Sequence, residues 1–590
     1  MVKVSDYIFR FLKSQGVRHV FMLPGGGAMH LVDSLGRCGL EYTCCLHEQA
    51  AAIAAEAYGQ HTNEIGVCLT TSGPGATNAI TGVTAGWIDS TPMLIISGQA
   101  KRTDLIGGTG VRQIGSQEVQ IIDMVKPITK YAVQIMEAAE VRYHLERACY
   151  EAMTGRPGPA WLSIPLDVQG AMIDENELIK FAPKVDDAPD IEDAIRKTAA
   201  LLKQSKKPLF LAGNGIKLSG AAEDFYRLAE RLQIPVETTW KTIDMIGEED
   251  PLYLGHPGAM GDRGANLILQ SADLLLSIGS RLDTSLTAFN EPHFGASAQK
   301  VVVDIDPNEL RRMHLSQVSV SVSCDAGQFI RALLKAVEED PDICRRQNDW
   351  QKWMRDGKEL RAKYPSVTAE HRKKQDCVSA YYFIELLSEY STAEDIIVPE
   401  SSGAAGEITY QAFRPKRGQK MKNAAGLGAM GFGLPYAIGA CLANDRKRTI
   451  LINGDGAFQL NIQELETLVR LNLPVKIFIW SNGGYASIRN MQNRNFNGRQ
   501  VASGQTSGLS MPDICRVAEA YGIQTTRIRN NGELPEKLRE ILADNKLTLC
   551  EVEIAEDDVV SPRTQTFIRE DGTIESAKLE NMWPPAEESI

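Results

Sequence analysis

Residues 454–484 read GDGAFQLNIQELETLVRLNLPVKIFIWSNGG, and this stretch decides the fold of the chain. It follows an apolar run at 449–453, and a second apolar run at 475–480 precedes its last four residues. Two apolar runs separated by a segment of helix length predict a βαβ unit with parallel strands. Asp455 and Asn482 then follow the carboxyl ends of neighbouring strands, where open α/β sheets bind ligands.

The residue types at these strand ends are those of a cation site. The Asp455 carboxylate, the Asn482 amide oxygen and the backbone carbonyl of Gly484 make an oxygen-rich pocket, which Mg²⁺ prefers together with phosphate groups. Gly454 and Gly456 would let the backbone approach a diphosphate closely. Gly-Asp-Gly alone also fits an ordinary strand-to-helix turn with an N-terminal aspartate. The asparagine at the matching distance favours the metal-site interpretation.

The composition is that of a globular protein with an acidic balance. The chain has 590 residues, of which 43% are hydrophobic and 23% charged, and this length suits about three domains. The net charge of −12 argues against nucleic acid or an anionic membrane as the main partner.

The cysteines and the N-terminus indicate a cytoplasmic protein. The eleven cysteines are scattered without a C-x-x-C pair, and Cys44 and Cys45 are adjacent, which indicates reduced thiols rather than a disulfide framework. Residues 4–17 predict an amphipathic helix, not a signal peptide. Because no apolar run reaches about 18 residues, we expect no transmembrane helix.

Strand-like and helical segments alternate along the chain, as in α/β proteins with parallel sheets. We predict an α/β fold of three doubly wound parallel-sheet domains and a tail. Their ranges are 1–175, 190–340, 375–556 and, for the polar tail that wraps the surface, 557–590. A polar connector separates the first two domains and contains Lys184, Asp186, Asp187, Pro189 and Asp190.

A second motif lies in the first domain. Glu48 precedes an alanine-rich helix and is followed downstream by a loop rich in glycine and hydroxyls, TTSGPGATN at 70–78. That loop feeds a helix N-terminus, which is a natural site for an anion or a ring. Alone, Glu48 equally fits a helix-dipole partner or half of a surface ion pair. Combined with Asp455 and Asn482, the motif favours a cofactor site.

These motifs resemble the thiamine diphosphate (ThDP)-dependent 2-oxo acid decarboxylase and carboligase superfamily. Within it, the chain is most similar to the acetolactate (acetohydroxyacid) synthase large subunit. The matching segments follow the family's order along almost the whole chain: 23–27 (LPGGG), 47–50 (HEQA), 71–75 (TSGPG), 155–159 (GRPGP), 305–307 (IDP), 426–435 (GLGAMGFGLP) and 454–456 (GDG) with Asn482. The resemblance implies that the three domains are pyrimidine-binding, central and diphosphate-binding.

The resemblance also assigns roles to individual residues. It implies that Glu48 bonds the aminopyrimidine ring of ThDP and drives proton transfer, since a carboxyl group in an apolar site can hold or share a proton. It implies Gln117 as a second catalytic residue and Met430 as the apolar wedge that bends ThDP. Mg²⁺ would be held by Asp455, Asn482 and Gly484. The full set of cofactor-binding residues would be Gly26, Ser72, Gly73, Asn78, Gly403, Gly428, Met430, Gly454, Asp455, Gly456, Asn482, Gly484 and Tyr485.

The implied reaction is decarboxylation of a 2-oxo acid, with pyruvate as the expected donor, and transfer of the acyl carbanion to an acceptor carbonyl. The family places residues matching Glu48 and Asp455 on different subunits of one site. A homodimer or homotetramer is therefore expected, and a regulatory subunit is a further partner of family members. A decarboxylase, a hydrolase of cyclic diones and a non-catalytic relative are the alternatives.

The chain departs from acetolactate synthases at three positions near the acceptor. Met491 stands in place of a tryptophan, Ser116 in place of a phenylalanine before Gln117, and Gly-Ala-Ala at 403–405 in place of Gly-Gln-His. These changes predict a roomier site, so a larger acceptor such as a nucleotide-linked keto sugar is an alternative. Three side chains could meet its polar groups or lie solvated at the surface: His30, Arg112 and Arg489.

A flavin is the remaining cofactor expectation. Segments at 213–215, 279–283 and 304–306, with Gly258, are similar to those that line FAD in acetolactate synthases. The family's double acid is reduced here to Asp283-Thr284. FAD, ADP and no ligand all stay open, because such glycines also serve ordinary strand-to-helix turns.

Overall fold

Three parallel sheets, each covered by helices, form the body of the protein in a computed structural model that describes residues 1–183, 189–555, 558–569 and 571–586. Connector residues Lys184, Asp186 and Asp187 and the predicted boundary at 556–557 lie outside the described residues. The predicted α/β class with parallel sheets is confirmed. No helix in the described ranges combines the length and apolar character needed to cross a bilayer.

The first sheet has six parallel strands. In spatial order they are Glu41–Cys44, His19–Met22, Gly66–Thr70, Met93–Gln99, Pro159–Pro165 and Tyr131–Gln134. All seven residues of Met93–Gln99 are buried, because helices cover both faces of the sheet. The helices are Val4–Ser14, Met29–Cys38, Glu48–Thr62, Pro74–Asn78, Ile80–Asp89, Ile121–Val125, Val141–Met153 and Leu166–Gly170. Val2–Lys3 pairs antiparallel with Met172–Ile173.

The central sheet has five parallel strands. In spatial order they are Val236–Thr238, Pro208–Ala212, Leu274–Ile278, Gln299–Asp304 and Val318–Ser323. Its helices are Glu192–Gln204, Gly215–Leu218, Ala222–Leu232, Arg263–Ser271, Pro307–Arg312, Ala326–Glu339 and Gln347–Lys363. The last of these packs Trp350 into the core beneath the sheet.

The third sheet again has six parallel strands. In spatial order they are Lys420–Met421, Ile396–Pro399, Thr449–Gly454, Val475–Ser481, Thr548–Glu553 and Gln524–Ile528. Its helices are Ala369–Lys373, Ala380–Tyr390, Ala404–Ala412, Gly433–Ala443, Asp455–Phe458, Leu465–Leu471, Ala486–Asn495, Ile514–Ala520 and Leu534–Leu542. Numbered by position in the chain, the strands of the first and third sheets share one spatial order, 2-1-3-4-6-5. The two sheets are thus topological duplicates, which hydrophobic periodicity did not show.

A helix pair joins the first and third sheets. Glu48–Thr62 packs against Gly433–Ala443, and a Cβ placed on Gly439 would lie 2.1 Å from the carbonyl oxygen of Ala54. Only glycine permits this approach of two backbones. The alanine-rich composition of Glu48–Thr62 has the same cause, since the helix is buried along almost its whole length.

Buried charges meet where the three sheets adjoin. The Lys241 ammonium lies 2.8 Å from Asp89 Oδ2, and it donates to Gln60 Oε1 at 2.9 Å and to the Asn423 carbonyl at 2.6 Å. Glu56, one turn before Gln60, is fully buried. Its Oε1 accepts hydrogen bonds from Gln60 and from Thr91. A polar network therefore fixes the three bodies against one another.

Glu56 makes stability depend on pH. Burial raises its pKa from 4.5 to about 7, with Lys241 acting in the opposite direction and Asp89 adding to the rise. Folding favours the protonated form, so this contribution to stability is complete below about pH 4.5 and is lost as pH rises through about 7. We expect Glu56→Gln to make the apparent Tm fall about 1 °C less between pH 6 and pH 8 than in the parent protein. An unchanged fall, measured by scanning calorimetry, would contradict the assignment.

The tail binds the central body. Leu579 and Met582 are buried, and Arg263 donates to the carbonyl oxygens of Met582 and Pro584. Thr566–Ile568 and Ile574–Ser576 form a two-stranded antiparallel sheet. Although its composition is polar, the tail buries Leu579 and Met582 in addition to covering the surface.

Candidate cofactor and metal site

Asp455 is held at the carboxyl end of the strand Thr449–Gly454, beside the end of Val475–Ser481 as predicted. Its carboxylate is 1% exposed. Oδ2 accepts the backbone amides of Asn482, Gly483 and Gly484 at 3.2, 3.0 and 3.2 Å, and Oδ1 accepts that of Gly456 at 2.7 Å. Burial raises the pKa of this carboxyl, and the four amide bonds act against the rise. The turn at 482–484 is thus wrapped around one carboxylate oxygen.

The turn leaves oxygen atoms for a cation. Asn482 Oδ1 is buried and, among the described residues, has no hydrogen-bond partner, which is unusual for a buried amide. The Gly484 carbonyl accepts one amide, that of Ala486 at 3.0 Å, and its second lone pair remains. Gly484 has φ +125°, a conformation that favours glycine. A carboxylate, an orphaned amide oxygen and a carbonyl form a donor set that fits Mg²⁺.

Two of the other predicted cofactor residues of the third sheet, Gly403 and Gly456, lie beside residues that follow this turn. Gly403 directly precedes the helix Ala404–Ala412, whose N-terminus suits an anion. A Cβ on Gly403 would lie 3.5 Å from Ser487 Oγ, and one on Gly456 would lie 2.5 Å from the Tyr485 ring. Gly428 has φ +64°, and Gly454 ends its strand. Met430 is 41% exposed, so its side chain is available to a ligand.

Glu48 begins the helix Glu48–Thr62 and is 8% exposed. Its Oε2 accepts a hydrogen bond from Asn78 Nδ2 at 3.0 Å. A Cβ on Gly75 would lie 3.3 Å from Glu48 Oε1, so the 70–78 loop covers this carboxylate. Both the helix start and the loop were predicted, and the structure brings them together.

The glycine-rich 23–27 segment packs on the same loop. The Gly27 amide donates to Thr71 Oγ1 at 3.1 Å, and a Cβ on Gly27 would lie 2.3 Å from Ser72 Oγ. Gly26 faces open space. Thr71 was not among the predicted site residues, although its place beside Ser72 in the TSGPG motif was a usable signal.

Gln117 lies against the 70–78 loop as well. It has φ +58°, and a Cβ on Gly73 would lie 2.5 Å from the Gln117 carbonyl oxygen. The neighbouring Glu118 is buried and accepts the amides of Ile106, Ile114 and Gly115 at 2.6, 3.1 and 3.3 Å. Sequence reasoning missed Glu118, because an acidic residue in a polar loop carries no signal of its backbone partners.

Within one chain, the site residues Glu48 and Gln117 are not bonded to the turn that holds Asp455. In the described ranges, no hydrogen bond or ion pair joins Glu48 or Gln117 to the Asp455 turn. Residues near these sites join the first and third bodies instead. Asn461 Nδ2 donates to Gln49 Oε1 at 3.0 Å, and the Leu46 amide donates to Glu464 Oε1 at 2.8 Å.

The predicted acceptor residues have different environments. Met491 is 40% exposed, and Ser116 is exposed. Ala405 belongs to the apolar core under the third sheet, so its small side chain does not widen a surface site. Arg112 is exposed and His30 lies beside Gly170.

A cavity of about 400 Å³ lies where the central body meets segments 88–90 and 155–157 of the first body. It opens between the ends of Pro208–Ala212 and Leu274–Ile278, where the strand order reverses, the usual place for a ligand in such sheets. Asn214, Gly279, Arg281 and Asp304 line it. Arg281 and Asp283, paired at 3.0 Å, also line an adjoining cavity of about 230 Å³. Burial raises the pKa of Asp304 to about 6.

Sequence comparisons match all three bodies to one family. The thiamine pyrophosphate enzyme N-terminal TPP binding domain matches residues 2–123, the central domain 195–333, and the C-terminal TPP binding domain 402–552. The probable acetolactate synthase large subunit of Methanocaldococcus jannaschii is 33% identical, over 94% of this chain and 92% of its own length. The chain belongs to this family. Its resemblance to acetolactate synthase large subunits is therefore confirmed.

Bacterial relatives give the same result. The acetolactate synthase large subunit of Lactococcus lactis is 31% identical over 97% of this chain and 96% of its own length. The acetolactate synthase isozyme 2 large subunit of Escherichia coli is 31% identical over 95% and 96%. The protein is a ThDP-dependent enzyme, and it is acetolactate synthase-like along nearly its entire length.

Proposed function

We propose that this ThDP enzyme is a Mg²⁺-dependent carboligase that decarboxylates a 2-oxo acid, with pyruvate as the donor, and transfers the acyl unit to an acceptor carbonyl. The observation that carries the Mg²⁺ assignment is the buried, unpartnered Oδ1 of Asn482 beside Asp455 and the Gly484 carbonyl. In this proposal the domains are pyrimidine-binding (1–175), central (190–340) and diphosphate-binding (375–556).

The proposed roles follow from where each side chain lies. ThDP, when bound, supplies carbanion stabilisation beside a carbonyl. Glu48 holds a proton for the pyrimidine ring at Oε1, because Asn78 occupies Oε2. Asp455, Asn482 and Gly484 would hold Mg²⁺, and Met430 would pack against ThDP. Remaining cofactor contacts are assigned to Gly26, Ser72, Gly73, Gly403, Gly428, Gly454, Gly456 and Tyr485, and Gln117 orients the donor.

We propose a homodimer or homotetramer in which two copies share each site. The separation of the Glu48 and Asp455 groups within one chain supports this arrangement, because each group would need its complement from a second copy. Exposed apolar side chains flank both groups, among them Leu46 at 46%, Met430 at 41% and Leu460 at 48%. A regulatory subunit is a further proposed partner, since the relatives are named large subunits. The free thiols of Cys44 and Cys45 support a cytoplasmic location.

The decisive experiment follows CO₂ and acetolactate together while the purified protein is incubated with pyruvate, ThDP and Mg²⁺. One acetolactate for each CO₂ establishes the carboligase with pyruvate as both donor and acceptor. CO₂ without acetolactate identifies pyruvate as the donor and requires another acceptor or a decarboxylase. No loss of pyruvate contradicts the proposed donor and favours a cyclic dione hydrolase.

A larger acceptor, such as a nucleotide-linked keto sugar, is the second candidate. The exposed Met491 and Ser116 favour it, because neither fills the space that an aromatic ring would occupy. Supplying keto sugars to the pyruvate reaction and searching for acetylated products by mass spectrometry tests this candidate.

We propose that the central cavity binds an adenine nucleotide, with FAD as one candidate. The cavity lies where the strand order of the sheet reverses, and a second cavity adjoins it. This arrangement supports a ligand with two connected parts, such as a dinucleotide. The absorption spectrum of the purified protein near 450 nm separates the possibilities, since FAD absorbs there and ADP does not. Chromatography of the heat-released ligand identifies a nucleotide without a flavin.

A further inference from the structure

The helix Ala486–Asn495 starts two residues after the cation turn at 482–484. Arg489 and Gln492, three residues apart, lie on one face of this helix. Ile488 and Met491, with the same spacing, are 42% and 40% exposed. One face of the helix therefore points back toward the turn, and another is open to a ligand or a partner.

Arg489 forms a hydrogen bond to the backbone of the turn. Its side chain is buried, at 8% exposure, and Nη2 donates to the backbone carbonyl of Asn482 at 2.8 Å. No carboxylate in the described ranges forms an ion pair with it. A buried guanidinium is costly unless its donors are hydrogen-bonded, and the Asn482 carbonyl supplies one acceptor. The bond fixes the carbonyl of the residue whose side chain carries the orphaned oxygen.

Gln492 acts on the same turn indirectly, through hydrogen bonds to the segment at 501–503. Its Nε2 donates to the Val501 carbonyl at 3.0 Å, and its Oε1 accepts the Val501 amide at 3.2 Å and Ser503 Oγ at 2.8 Å. The Ser503 carbonyl in turn accepts the Tyr485 amide at 3.0 Å. The segment at 501–503 is thereby hydrogen-bonded to Tyr485, the residue that follows the turn.

We propose that Arg489 and Gln492 are positioning residues that brace the turn at 482–484 for its cation. This inference rests on the proposed role of that turn as a Mg²⁺ site. Mg²⁺ requires nearly ideal octahedral geometry, and the brace supplies it by fixing the Asn482 backbone and the Tyr485 amide on either side of Gly484. The function of Arg489 is thus to shape the site, in place of the contact with an acceptor that its charge suggested.

Mn²⁺ is the probe that tests the brace, because its binding to the full-length protein can be followed by electron paramagnetic resonance with ThDP present. Loss of an outer partner typically weakens metal binding 10- to 100-fold, and we expect a loss of about this size for Arg489→Met. Arg489→Lys should bind with intermediate affinity, since an ammonium can reach one carbonyl. Gln492→Leu should weaken binding by about tenfold.

Arg494→Met is the matched control. Arg494 is on the same helix but exposed, with one long contact to Asn495 at 3.4 Å, so Mn²⁺ should bind this variant as it binds the parent. A positioning role also predicts that saturating Mn²⁺ restores most of kcat in Arg489→Lys. A residue that touches substrate would leave kcat low at every cation concentration.

If Arg489→Met and Gln492→Leu both bind Mn²⁺ as tightly as the parent, the proposed positioning role of these two residues is wrong. If Arg489→Met loses its circular dichroism spectrum, Gln492→Leu decides, because Val501, which makes two of the three hydrogen bonds of Gln492, is 64% exposed. If the parent protein itself fails to bind Mn²⁺, the proposed cation site is wrong, and so is the positioning role of Arg489 and Gln492. That result is distinct, since all variants and the parent then behave alike.

Discussion

Asp455→Asn is expected to lose more than about 100-fold in Mn²⁺ affinity and, with it, nearly all turnover. The substitution keeps the size of the side chain but removes its charge. It also places an amide group where Oδ2 now accepts three backbone amides from the turn. The variant therefore loses a ligand and the geometry of the turn together, so both cation binding and ThDP retention should fail. Isothermal titration with Mn²⁺ and ThDP measures both.

Asp445→Asn is the control for this variant. Asp445 is an exposed acid of the same domain, so its substitution changes net charge equally and leaves the turn intact. Near-parental Mn²⁺ binding by Asp455→Asn would show that the cation binds elsewhere, whatever the activity.

The second large effect is expected at Glu48. General acid–base groups typically contribute 10²–10⁴-fold to rate, and Glu48→Gln should reduce turnover by about this factor. Glutamine keeps an oxygen for the Asn78 bond but cannot exchange a proton. Because Glu48 makes no hydrogen bond to the Asp455 turn in the described ranges, Mn²⁺ affinity should stay within about a few-fold of the parent. Stopped-flow rates and titrations together separate these two effects.

Glu64→Gln provides the comparison, since Glu64 lies just beyond the other end of the Glu48–Thr62 helix and is 52% exposed as a side chain. Its turnover should equal that of the parent. If Glu48→Gln retains full activity, its catalytic assignment is wrong, and if it instead fails to bind cofactor, its role is in binding.

The fold and the two main motifs were predictable because their signals are local. A parallel strand buried on both faces must be an apolar run, as at 449–453 and 475–480. The residue that follows each run then lies at the ligand-binding edge of the sheet. Asp455, Asn482 and the 70–78 loop were located in this way.

Side-chain directions that depend on how the helices pack could not be predicted. Sequence indicated Arg489 as a surface or acceptor residue, whereas the structure buries it against the Asn482 carbonyl. Ala405 was counted among the changes that enlarge the acceptor site, and it packs in the core. In both cases the direction of the side chain depends on helix packing, which residue type does not encode.

By itself, the sequence determined the α/β class, the order of the motifs and the family, since each depends on residue type and spacing along the chain. Only the tertiary structure decided how the three bodies lock together through Lys241 and Glu56, and which groups brace the 482–484 turn. The hydrogen bonds of Lys241 reach residues as far as 182 positions away, whereas Arg489 contacts a carbonyl seven residues before it. Their existence depends on burial and geometry, and these arise only when the sheets have packed.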